Sequence, residues 1–178
     1  MRKNCWNRSL PAAALLVAAG LAGCGYRMAG QASRLPGHVK VIAVLPFKNQ
    51  TTWMRLEQRL TSAVMQEFIH RTRYQVTSAE AGADAVLTGT VLSATTAPVI
   101  FDPTTGRASA VQVMVVVAVE LRDTKSKQAL YTNANYIFRE QYEISGDLDS
   151  FFEERSTALE RLARDFGVTL VTAVLENF

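Results

Sequence analysis

Cysteine is almost missing from this chain. Cys5 and Cys24 are the only two in 178 residues, and His38 and His70 are the only histidines. No cysteine pair at ligand spacing, no H-E-x-x-H and no acidic calcium loop occurs, so the common sequence-encoded metal sites are excluded. There is likewise no P-loop, no G-x-G-x-x-G and no G-x-S-x-G. The carboxylate pair Glu153–Glu154 opens a helical segment, where acids favour the macrodipole. The sequence therefore names no catalytic residue, no metal ligand and no cofactor. Surplus charge is lacking too. The formal net charge of +3 rests on Arg2, Lys3 and Arg8, and residues 24–178 balance to zero. The basic isoelectric point thus gives no case for a nucleic-acid partner. A long hydrophobic run is also absent: the longest, Leu10 to Leu21, falls short of the roughly 20 residues that span a bilayer.

What is present at the front end is an export signal. Met1 to Ser9 is basic without an acid, Leu10 to Leu21 is apolar or small, and Leu21-Ala22-Gly23 places small residues ahead of Cys24. Leu-Ala-Gly-Cys resembles a bacterial lipobox; a plain secretory signal is the alternative. The Cys24 thiol is the one group there able to form a thioether to a diacylglyceryl unit, and cleavage would free its amine for a further acyl chain. Each buried CH₂ contributes about 0.8 kcal/mol, and a single chain holds only marginally. Three chains would anchor the protein almost permanently. With Cys5 discarded, Cys24 has no partner for an internal disulfide. The expected organisation is a signal at 1–23, a lipidated tether at 24–37 and a single domain at 38–178.

Within that domain, HVKVIAVLPF (38–47) reads as a buried strand ended by Pro46. KNQTT follows as a turn, with Thr51 or Thr52 as the helix N-cap. Trp53, Leu56, Leu60, Val64 and Phe68 then fall on one helical stripe. ADAVLTGTVLSAT (83–95) is a strand, and FDPTTGRAS (101–109) has the composition of a hairpin loop. Val111, Val113, Val115, Val117, Val119 and Leu121 share one face of the next strand. Its other face, with Met114, Val116 and Ala118, is unusually apolar for a solvated surface. DTKSK turns the chain into a further strand that alternates Tyr136, Phe138 and Tyr142. Ser150-x-x-Glu153 reads as a capping box for a last helix starting near Asp149, and Gly167 inside that helix invites a bend. The order β-α-β-β-β-α predicts an α+β two-layer sandwich, a roughly four-stranded sheet with both helices on one face.

Cys24-Gly25-Tyr26-Arg27-Met28-Ala29-Gly30 resembles the C-G-Y-x-apolar-x-G opening of the lipopolysaccharide-assembly lipoproteins, the LptE family. VLPFKNQTT, LEQRLTSAV and ADAVLTGTV recur there in the same order, as do a Gly-tipped hairpin, a valine-rich strand and a closing helix. The likeness covers essentially all of 24–178. It implies a non-catalytic outer-membrane lipoprotein on the periplasmic side. Such a protein plugs an LptD-type β-barrel, helps it assemble and binds lipopolysaccharide. Gly25 after the cysteine, in place of Asp, agrees with the outer membrane as address. A plug needs a second neutral sheet surface, and Met114, Val116 and Ala118 are the candidate partner interface; cover by another part of the same chain is the alternative. Lipopolysaccharide carries phosphates, so candidate binding residues are cations on turns: Arg107 in the first loop, Lys125 and Lys127 in the second. The rival class is a regulatory lipoprotein activating a peptidoglycan synthase, or a member of a curli-type secretion system, since these also begin with a strand like IAVLPFKN. Residues 25–38 reach at most about 50 Å fully stretched, and no long Pro-rich arm is present.

Overall fold

The computed structural model describes residues 35–143 and 148–176, the side chains of 148–153 excepted. The signal, Cys24 and the C-G-Y segment lie outside the described residues, as do the side chains of the expected Ser150–Glu153 capping box. In chain order the elements are β1 (Val41–Val44), β2 (Lys48–Asn49), α1 (Leu56–Arg71), β3 (Gln75–Thr77), β4 (Ala85–Phe101), β5 (Ala108–Asp123), β6 (Ala129–Glu143) and α2 (Leu148–Glu176).

The class is α+β as expected, but the sheet has six strands rather than four, in the order β3-β1-β4-β5-β6 with β2 beside β4. The added strands are two and three residues long, too short for any periodicity to show. They exist because neighbours offer free ladder edges: Lys48 pairs with Thr90 and Val41 with Gln75. β1 runs parallel to β3 and β4, while β4, β5 and β6 form an antiparallel meander.

Leu56, Leu60, Val64 and Phe68 of the stripe expected on α1 are buried, and with Leu162, Phe166, Leu170 and Val174 of α2 they pack on Ile42, Val44, Leu87, Val91 and the odd-numbered face of β5. Side chains of this size contribute about 1.5–3 kcal/mol each on full burial. Phe166 is the centre of an aromatic cluster, edge-on to Phe47, Tyr136 and Phe138 at 5.9, 6.2 and 5.1 Å. The helices run in the same direction: Arg59, early in α1, bonds Ser156 and Glu160 of α2, while Arg71 at its end reaches Thr172.

Neither Thr51 nor Thr52 caps α1. The N-cap is Arg55, at φ 62° and without a side-chain cap bond. The reason is Asn49, which organises the loop first. Its Oδ1 accepts from the backbone N–H and hydroxyl of Thr51, and its Nδ2 donates to the Trp53 carbonyl and to Glu57. Thr51 is consumed there, and its own oxygen accepts from the Trp53 N–H.

Candidate functional site

Both long hairpins turn on the same frame. In the first, Asp102 Oδ1 accepts from the backbone N–H groups of Thr104 and Thr105 at 2.8 and 2.7 Å, and Asp102 N–H donates to the Arg107 carbonyl. Gly106, at φ 66°, closes the loop by donating to the Asp102 carbonyl. In the second, Asp123 Oδ1 accepts from Lys125 and Ser126 at 2.7 and 2.8 Å, and Lys127 takes the left-handed position at φ 61°. Glycine adopts that conformation freely, whereas a residue with a Cβ is strained there.

These bonds also set the charge. The Thr105 and Thr104 amides hold the Asp102 carboxyl below the usual carboxylate range. The Ser126 amide, then the His38 and Lys125 bonds, hold Asp123 at about 2 against the opposing effect of its burial. Each aspartate faces its own turn. Arg107 is exposed on the first loop, and among the described residues no carboxylate pairs with it. Lys125 differs: its Nζ lies 3.7 Å from Asp84, whose carboxylate also accepts from Lys40 and Val41 N–H.

The two loops lie at opposite ends of β5. That strand has 16 residues, so about 50 Å separates them at roughly 3.3 Å per residue. Arg107 and the Lys125/Lys127 pair therefore cannot act on one phosphate group. Beside Arg107, the end of β4 exposes consecutive apolar residues, Val99, Ile100 and Phe101, at 38, 54 and 57 %. Sequence reading passed over them because it ended this strand at Thr95; three consecutive apolar residues outside any amphipathic pattern were the available signal.

On β5 the odd-numbered residues from Val113 to Leu121 are buried, and Met114, Val116 and Ala118 are half-buried on the opposite face. None of these three belongs to either packed apolar cluster. Across the strands Val116 pairs with Ser93 and Ile137, Met114 with Thr95 and Arg139, and Ala118 with Thr90. Ile137 and Leu92 add exposed apolar surface. The centre of this face is made of small, hydroxylic and apolar side chains, with Arg139 beside Met114 and the Glu120–Arg122 ion pair further along β5.

A cavity of about 670 Å³ is an open groove between α1 and α2 lined by Gln58, Arg59, Ser62, Glu160 and Arg164 among others. A smaller one of about 220 Å³ lies on the open sheet face near Lys127 and Arg122. Among the described residues no group of three His, Cys, Asp or Glu could hold a metal ion, and no helix is long and apolar enough to cross a membrane.

A family model described as LptE, lipopolysaccharide-assembly, matches residues 39–174. No curated protein matches in sequence. Among solved structures, rare lipoprotein B from Shewanella oneidensis is similar at 13 % identity and a TM-score of 0.51, covering 73 % of this chain and 92 % of its own. An uncharacterized lipoprotein B from Nitrosomonas europaea is similar at 13 % identity and a TM-score of 0.52, covering 80 % of this chain and 89 % of its own. At that identity these likenesses establish the fold.

Proposed function

The chain belongs to the LptE lipopolysaccharide-assembly family, and on that premise we propose that it is an outer-membrane lipoprotein anchored through acylated Cys24. It plugs and helps assemble an LptD-type β-barrel, and it binds lipopolysaccharide on its way to the outer leaflet. The family match over 39–174 is the observation that carries this reading. Two features of the domain support it. The open sheet face of Met114, Val116 and Ala118 offers a neutral surface to a barrel wall, and charged residues are scarce in the centres of such interfaces. The hairpin end places Arg107 beside Val99, Ile100 and Phe101, which suits a ligand with both phosphate and acyl chains. The role requires no catalytic group.

The direct test is affinity purification of the acylated protein from detergent-solubilised membranes, followed by mass spectrometry. An outer-membrane barrel in equal amount is the expected result. Recovery of a peptidoglycan synthase instead, with no barrel, would transfer the protein to the regulatory class.

A further inference from the structure

A strand edge leaves main-chain N–H and C=O groups without partners, and proteins normally shorten, charge or cover such edges. β4 carries one that is long and uncharged. On one side it pairs with β1 at Ala85–Leu87 and with β2 at Thr90–Val91, where the Val91 carbonyl accepts from Gln50 N–H. It then runs on to Phe101 paired with β5 alone. Among the described residues no strand pairs with Leu92–Phe101 from the other side. This stretch, LSATTAPVIF, holds no charged residue, and Thr95 to Phe101 are exposed. The outer strands differ: β3 has three residues, and β6 carries Arg139, Glu140 and Glu143. Pro98 has no N–H to donate, and the register with β5 is irregular beyond it. Ser93–Ala97 is thus the regular part of the edge.

We propose that Ser93–Ala97 is a docking edge that takes an extended, uncharged segment of the barrel protein as an added strand. The unpaired groups select the occupant: N–H and C=O groups presented at every second residue are met in full only by another extended backbone. A charge on the incoming segment would be desolvated with no counter-charge on LSATTA, so apolar and hydroxylic residues fit best. The edge is continuous with the open face. Ser93 pairs with Val116 and Thr95 with Met114, so a partner seated on those side chains meets the edge one strand away, about 5 Å. The chain's own front segment does not suit. It enters through the strap Leu35–Lys40, which is fixed at the Asp123 end of the sheet: Leu35 and Val39 are buried, His38 bonds Asp123 through Nε2, and Lys40 N–H bonds Asp84. From Ala85, Ala97 lies about 40 Å along β4 at roughly 3.3 Å per residue. Residues 24–34 stretch to about 38 Å at most, with no length left to carry Cys24 into a membrane. The identity of the partner rests on the barrel reading; the open edge does not.

Residue-resolved amide hydrogen exchange tests it, on the acylated full chain alone and on the barrel complex purified from detergent-solubilised membranes. In the complex, alternate amides between Ser93 and Ala97 should gain about tenfold protection, as for newly formed ladder bonds. Those same amides should exchange fast in the chain alone. Thr96 stands beside buried Val113, on the face away from Met114, so Thr96→Lys charges the edge without altering the open face. It should lower barrel recovery several-fold with circular dichroism unchanged, while Thr96→Ser recovers the barrel like the wild type. A complex whose edge amides stay fast, protection without alternation, or full recovery by a folded Thr96→Lys chain would each overturn the docking edge. So would protection that grows with concentration in the chain alone, which would give the edge to a second copy. A purification without any barrel overturns the barrel reading and the docking edge together, whereas the other outcomes leave that reading standing.

Discussion

At the scale of single residues, the shared motifs turn out to be packing devices. A Cβ on Gly89 would stand 2.7 Å from the ring of Phe47, which in turn meets Phe166 edge-on. LTGTV and VLPF thus fit together as strand floor and aromatic lid. Gly89→Ala should destabilise the fold by about 1–3 kcal/mol, seen as a lower melting temperature, because the buried ring has little room to retreat. Gly167 is a different case. Its sequence position suggested a bend, but its structural role is close approach: a Cβ there would lie 3.0 Å from the Ala63 carbonyl oxygen of α1. Gly167→Ala gains about 1 kcal/mol of helix propensity against that mild crowding and should melt close to wild type. Gly167→Leu should melt clearly lower, since the added side chain forces the helices apart. Asp123 sets an acid limit. Its folded pKa of about 2 lies below the carboxylate's usual 3.8, so the stability it contributes is present above about pH 4 and is lost as pH falls through about 2. In Asp123→Asn the acid limb of the melting-temperature profile should flatten over that window. No sequence pattern announces His38–Asp123, because its members are 85 positions apart; only the aspartate opening each turn was visible in advance.

Elements were legible where periodicity is long. From Leu56 onward the α1 stripe fell where its spacing put it, as did the valine strand, since eight or more residues of regular alternation leave one choice of buried face; Trp53, expected on that stripe, lies in the loop before the helix. The short strands β2 and β3 exist through pairing alone, and nothing local to them records it. β5 gives the sharpest test of face assignment. Val115 is fully buried, so Val115→Asp should place an unpaired charge in the core and unfold the domain. Met114→Glu and Val116→Asp should leave its circular dichroism and melting intact within about 1 kcal/mol, while weakening recovery of the barrel. Equal damage to folding from both faces would assign the second face to the core. The sheet's long edge is β6, a candidate for unwanted pairing. Arg161 of α2 blunts it by bonding the Gln141 carbonyl and the Glu140 carboxylate, and the Asn133 side chain occupies the Asn135 N–H.

For the molecule as a whole, the strap and the β5–β6 turn mark one end and the Arg107 loop the other. This polarity could be inferred from the sequence, because successive turns of a meander alternate ends; the apolar residues beside Arg107 could not. If phosphate is held at the far end, Arg107→Ser should lower capture of lipopolysaccharide several-fold at low salt while Lys125→Ser/Lys127→Ser leaves it unchanged. Unchanged capture in both would move the ligand to the sheet's aromatic residues or to the barrel. Cys24→Ala should leave a chain without the acyl anchor, and density-gradient fractionation of the acylated form should place it with the outer membrane. The parallel course of α1 and α2 has an electrical meaning as well. Each helix is equivalent to about half an elementary charge at either tip, positive where it begins. Antiparallel neighbours would cancel; these two add. Although its formal charges from 24 onward balance, the domain is a dipole whose positive poles point toward the Arg107 end and whose negative poles point toward the strap.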